Sequence, residues 1–140
     1  MHRIVALLFP ENYRYLPANR LINVTLRSLH ILGFAVFVGG FWFEQPAALV
    51  APWFWLAVGT GILMVLIELY GSFTFVIEAR GIAVFLKLGL LALAPGSGEA
   101  GRWLLASVIV LASITSHMRG VYRHWSPIEK ETIERLAGRA

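Results

Sequence analysis

Apolar residues fall along this chain in four blocks, separated by short polar breaks or by breaks containing proline and glycine. The first block reads LRSLHILGFAVFVGGFWF from Leu26 to Phe43 and stops at Glu44, Gln45 and Pro46. Upstream, PANRLINVTLRS has a proline start and apolar residues at Leu21, Val24 and Leu26, which offers an earlier helix start near Pro17. The second block opens between Ala47 and Pro52 and runs uncharged until Glu68, just before Tyr70. GSFTFVIEAR, from Gly71 to Arg80, reads as a short, partly helical connection. The third block starts at Gly81, carries Lys87 inside it, and is stopped by Pro95-Gly96 at the head of PGSGEAG, a turn by composition. The fourth runs from Trp103 to Met118 and leaves through the basic HMRGVYRHW.

This pattern predicts an all-α integral membrane four-helix bundle with short interfacial N- and C-terminal segments. Residues 1–140 then form one membrane domain, with spans near 26–44, 50–70, 81–95 and 103–118. Residues 1–25 and 119–140 are left on the cytoplasmic side or at the interface. Spans three and four are short: sixteen residues at ~1.5 Å each reach about 24 Å, against a hydrocarbon core of ~30 Å. Tilt-free thinning, snorkelling or helical extension at the ends closes such a gap, and a re-entrant third segment is the alternative. Trp42, Trp53 and Trp55 cluster around the first loop as an aromatic belt would.

Composition removes many other classes. Hydrophobic residues make up 58% of the 140 residues and charged ones 14%, too few to cover the apolar area with polar surface. Mean hydropathy is +0.70, and lipid is the expected solvent. There is no cysteine, so disulfides, thiolate metal sites, iron–sulfur clusters and covalent c-type haem are excluded. Three methionines are too few for a Met-rich copper relay. The N-terminal apolar stretch Ile4–Phe9 is too short for a signal-peptide core, so the N-terminus is expected to stay on the mature protein.

The net charge is +4, and the basic residues hug the predicted membrane edges. They read as topology signals and headgroup contacts rather than a nucleic-acid patch. Arg3, Arg14, Arg20 and Arg27 precede span one, Arg80 follows span two, and Arg119, Arg123, Lys130, Arg135 and Arg139 follow span four. The opposite side has Arg102. Both termini are therefore expected on the cytoplasmic face of the cell (inner) membrane. SPIEKETIERLAGRA at the C-terminus has the start of a capped helix and is expected to lie in water or on the surface.

An even number of spans brings His30, Glu68, Lys87 and His117 to one side, within about ten ångström of the same boundary. Ionisable groups inside membrane segments are costly and carry a functional expectation. His30 and His117, on different helices, are candidate metal ligands, and with a haem iron they would be its two axial ligands. Gly33, three residues from His30 on the same face, leaves room for a planar ring, as does Ser113 before His117. Lys87 or Arg27 is placed to neutralise propionates. Against this stand plainer roles: interfacial snorkelling for the histidines, a Lys87–Glu68 ion pair, and helix packing at Gly39 and Gly40. No Ser–His–Asp set, phosphate loop or zinc motif is present, and aspartate is absent.

RSLHILGFAVFVGGFWF resembles the opening helix of CopD-like membrane proteins and HemJ-type protoporphyrinogen oxidases. FLKLGLLALA is similar to their later lysine-bearing helix. The resemblance implies that His30 is the family's histidine, Lys87 its lysine, and Gly39 and Gly40 its glycine pair. For the HemJ type it implies a b-type haem in a small helical bundle, and for the CopD type copper handling. SITSHMRGVYRHW has no counterpart there, so the role of His117 rests on its own position. The expected function is thus b-type haem binding near the cytoplasmic face, with Arg27, His30, Gly33, Lys87 and His117 as the cofactor-binding residues. Its work would be electron transfer, or a haem-linked oxidation if the iron keeps an open position. The expected partners are the bilayer and a membrane-protein partner or second copy. A cofactor-free accessory subunit of a larger membrane complex is the alternative, and a copper or small-cation permease the third.

Overall fold

The computed structural model describes residues 8–10, 13–94, 97–119, 122 and 125–126. Its helices are α1 (Asn19–Trp42), α2 (Ala47–Gly71), α3 (Thr74–Ile77), α4 (Ala79–Leu93) and α5 (Glu99–His117), and no strand occurs among the described residues. Three of them, α1, α2 and α5, are long and apolar enough to cross a membrane. The third expected span is α4, whose 15 residues reach only about 22 Å. The expected C-terminal helix lies almost wholly outside the described residues, as do Pro95, Gly96, His2 and His124.

The chain divides into two compact units, residues 15–70 and residues 1–14 with 71–140. The first is an antiparallel pair, α1 and α2. Its turn is set by local chemistry: Gln45 N–H donates to the Gly40 carbonyl at 2.8 Å and Glu44 N–H to Phe41 at 3.3 Å. This is a Schellman ending, with Glu44 in the left-handed region at φ 54° where glycine is usual. Pro46 follows and prevents any continuation of α1.

Small residues bring the two helices together. A Cβ on Gly33 would lie 3.0 Å from both Ala57 N and Trp53 O, and one on Gly40 would lie 2.6 Å from Val50 Cγ2. Gly33 and Gly40 are seven residues apart and share one face of α1. The pairings Gly40 to Val50, Phe37 to Phe54 and Gly33 to Trp53–Ala57 step steadily in opposite directions, as an antiparallel register requires. Backbone contact this close is how apolar helices associate where lipid gives no hydrophobic drive.

α1 begins at Asn19, taking the earlier of the two starts. His30 is therefore the twelfth of 24 residues, about 17 Å along the helix from Asn19, and sits at mid-length rather than one turn from an end.

The second unit pairs α4 with α5. Leu105 is 1% exposed and Ala94 2%, and a Cβ on Gly101 would run into the Ala94 carbonyl. Gly81 at the start of α4 likewise lies against the Phe75 carbonyl of α3. The segment between α2 and α4 is held from both ends of the chain. Phe73 N–H donates to Leu8 O at 3.0 Å, Arg14 N–H to Gly71 O at 3.2 Å, and Ala79 N–H to Trp125 O at 2.8 Å. Outward, most of the apolar side chains remain uncovered: within the hydropathic windows of α1, α2 and α5 only 11%, 17% and 17% of positions are buried. That is the surface of a helical membrane protein.

Candidate functional site

The best-defined polar site lies midway along the α1–α2 pair. His30 Nδ1 is 2.8 Å from the Ala57 carbonyl oxygen and 3.3 Å from Thr60 Oγ1. Thr60 Oγ1 is itself 2.7 Å from Leu56 O and 3.1 Å from Ala57 O. A hydroxyl has one proton, and the shorter contact gives it to Leu56, leaving its lone pairs toward the ring. The Ala57 carbonyl accepts and never donates, so the proton in the 2.8 Å contact belongs to His30 Nδ1. In the neutral ring Nε2 then carries the lone pair.

Glycine makes the seat. A Cβ on Gly61 would lie 3.1 Å from His30 Cε1 and 3.3 Å from Nδ1, so the ring rests on bare α2 backbone. Phe34, one turn on, lies parallel to the imidazole within 1°, at a centroid separation of 6.3 Å. Thr60 and Ala57 are buried and His30 is half-buried. For Gly61→Ala, added helix propensity of about 1 kcal/mol opposes the crowding of the ring. The expected result is a melting temperature in detergent within a few degrees of wild type, with a displaced His30 ring signal in NMR.

The other expected residues fall as follows. Arg27 is exposed on α1, one turn before His30. The room expected beside Gly33 is taken by the α2 backbone at Trp53 and Ala57, so this glycine serves helix packing and not a planar ring. Lys87 is half-buried as the ninth of 15 residues in α4, and His117 is the exposed last residue of α5, both in the second unit. No cluster of three or more His, Asp or Glu able to hold a metal ion occurs among the described residues.

A second polar node, not singled out in the sequence, stands at the head of α4. Glu78 is 7% exposed and its Oε2 is 2.5 Å from Arg80 Nε. The Arg80 guanidinium carbon lies 5.4 Å from the centre of the Phe75 ring. Ser72 Oγ is 2.7 Å from Thr74 Oγ1 and accepts from Thr74 N–H at 3.2 Å, closing the turn into α3. Glu-x-Arg at a helix start was the available signal, obscured because Arg80 also fits a topology role.

No protein family, curated protein or solved structure matches this chain.

Proposed function

We propose that this chain is a multi-pass protein of the cell (inner) membrane, with both termini cytoplasmic, that binds b-type haem through His30 and serves electron transfer. The observation that supports it is the 2.8 Å contact from His30 Nδ1 to the Ala57 carbonyl. A ligating histidine commonly gives its other N–H to a backbone carbonyl, which fixes the ring and turns the free nitrogen to the metal. Arg27, one turn away on α1, is placed to pair with a propionate. Haem bound there supplies one-electron redox chemistry. With His30 as sole ligand the iron would keep an open position, and a haem-dependent oxidation becomes the activity. The hydrogen bonds that Phe73 and Ala79 N–H donate to Leu8 and Trp125, and that Gly71 O accepts from Arg14, all within one unit, support a common side for the termini.

The test is a reduced-minus-oxidised visible spectrum of the detergent-purified protein expressed with ample haem. A b-type signal is expected in wild type and its loss in His30→Ala. Loss in His117→Ala as well gives a bis-histidine iron and pure electron transfer. Retention in His117→Ala gives an open iron. Wild type without haem overturns the proposal.

A second function, cofactor-free accessory subunit of a larger membrane complex, is favoured by one observation. Gly39, Gly59 and Gly89 are helical glycines with nothing within 4 Å of where a Cβ would stand. Helix-interior glycine costs about 1 kcal/mol relative to alanine, and these three offset it by no contact among the described residues. Partner helices approaching at such positions would account for them.

A further inference from the structure

We infer that α2 fixes a proton on His30 Nδ1 before any ligand arrives, which leaves Nε2 as the electron-pair donor of the ring for a Lewis acid of borderline softness. The tautomer stands independently of the haem proposal, while its consequence for iron rests on it.

The ring of a solvated histidine side chain favours the other tautomer, with the proton on Nε2. That form here would set the Nδ1 lone pair against the carbonyl lone pairs of Ala57 at 2.8 Å. Thr60 does not relieve the clash by turning its proton to Nδ1, because Ala57 O remains where the helix backbone holds it. An α-helical carbonyl cannot rotate away, and at mid-length it has no water to take its place. The lock is therefore built from backbone, and the glycines make it reachable. Gly33 lets α1 approach so closely that a Cβ there would stand 3.0 Å from Trp53 O and Ala57 N, and Gly61 leaves the space in which the ring lies.

The partner of Nδ1 also decides what kind of donor Nε2 is. A carboxylate behind the ring would draw its proton and make the ligand more anionic. A carbonyl does not. The acidic residues of this unit are Glu44 and Glu68. Glu44 is 14 positions from His30 along α1 and Glu68 is 11 from Ala57 along α2, or about 21 Å and 16 Å of helix. None of the α2 residues packed at the ring, Ala57, Thr60 and Gly61, titrates. Nε2 is thus an imidazole donor with no carboxylate behind the ring. This suits haem iron or a late first-row divalent ion and disfavours hard cations, which take oxygen ligands.

Imidazole nitrogen-15 NMR of the full-length protein in micelles reads the tautomer directly. Four histidines are present, and His30→Ala assigns the signal. Without added metal, wild type is expected to show His30 as the Nδ1–H form, and an Nε2–H form overturns the inference. Thr60→Val, nearly isosteric, is expected to keep the Nδ1–H form, since the Ala57 carbonyl remains. Reversal in that variant overturns the assignment of the lock to the backbone. Ferric haem is then added. Broadening of Nε2 with Nδ1–H retained places the iron as inferred, and broadening at Nδ1 overturns the assignment. An Nδ1–H tautomer that haem leaves untouched preserves the lock and removes the haem proposal.

Discussion

Gly33→Leu is expected to separate α1 from α2 and to abolish the His30 contact with them. The position has no slack. Already a single added carbon would stand 3.0 Å from two backbone atoms of α2, and backbone yields only if the whole helix moves. Crowding of this kind costs about 1–3 kcal/mol, and a branched side chain falls at the upper end. Moving α2 away also breaks the His30–Ala57 hydrogen bond, a further loss of about 1 kcal/mol. Unfolding in mixed detergent should therefore shift strongly toward lower denaturant. Gly39→Ala is the matched control, because nothing lies within 4 Å of its Cβ position, and helix propensity predicts a gain of about 0.5–1 kcal/mol. Equal behaviour of the two variants would remove Gly33 as the point of helix contact. If the haem proposal holds, Gly33→Leu also loses the haem signal, although Gly33 touches no ligand.

Glu78→Ala is expected to be the most damaging single change in the second unit. The carboxylate is 9% exposed and Arg80 16%, so the pair is largely withdrawn from solvent. Removing one partner of a buried pair costs on the order of 3–5 kcal/mol, because the remaining charge stays desolvated. The damage would spread through geometry, since the Glu78 carbonyl accepts from Gly81 and Ile82 N–H at 2.9 and 3.0 Å and so starts α4. Mutation of the side chain leaves those bonds to the backbone but loosens the turn that presents them. The double variant Glu78→Met with Arg80→Leu is expected to recover most of the loss, as apolar replacements of a buried pair commonly do. A double-mutant cycle in detergent unfolding measures the coupling, and coupling near zero would show that the short contact contributes nothing net.

Most of the helical layout was legible in the chain. Apolar runs bounded by Glu44-Gln45-Pro46 and by Pro95-Gly96 leave few alternatives in lipid, where every backbone polar group must bond internally. The start of α1 was legible only as a choice. PANRLINVTLRS fits both a helix and an interfacial lead-in, and the structure extends α1 back to Asn19. That extension changes the site, because it moves His30 from an edge to mid-helix. α3 was legible only as a partly helical connection, because four helical residues between turns leave no periodic signal that would set its bounds.

Of the site, His30 was readable as a histidine on an apolar face, since intramembrane ionisable groups stand out by cost alone. Its partner was not readable. The Ala57 carbonyl is backbone and has no letter of its own, and Gly61 and Thr60 inside VGTGILM look like ordinary small residues. Gly33 was read as space for a ligand and proved to be space for a helix. The two uses share one sequence signature, and only the position of a second chain segment separates them.

What the sequence determined by itself was the solvent, the helical class, the excluded cofactors and the ionisable residues in apolar segments. These follow from composition and one-dimensional spacing. The tertiary structure alone decided which face of α1 meets α2, which atom of His30 holds the proton, and that Glu78 is buried beside Arg80. Helix rotation and approach are set by contacts between residues far apart in the chain, and no local pattern encodes a distance of 2.8 Å across two helices.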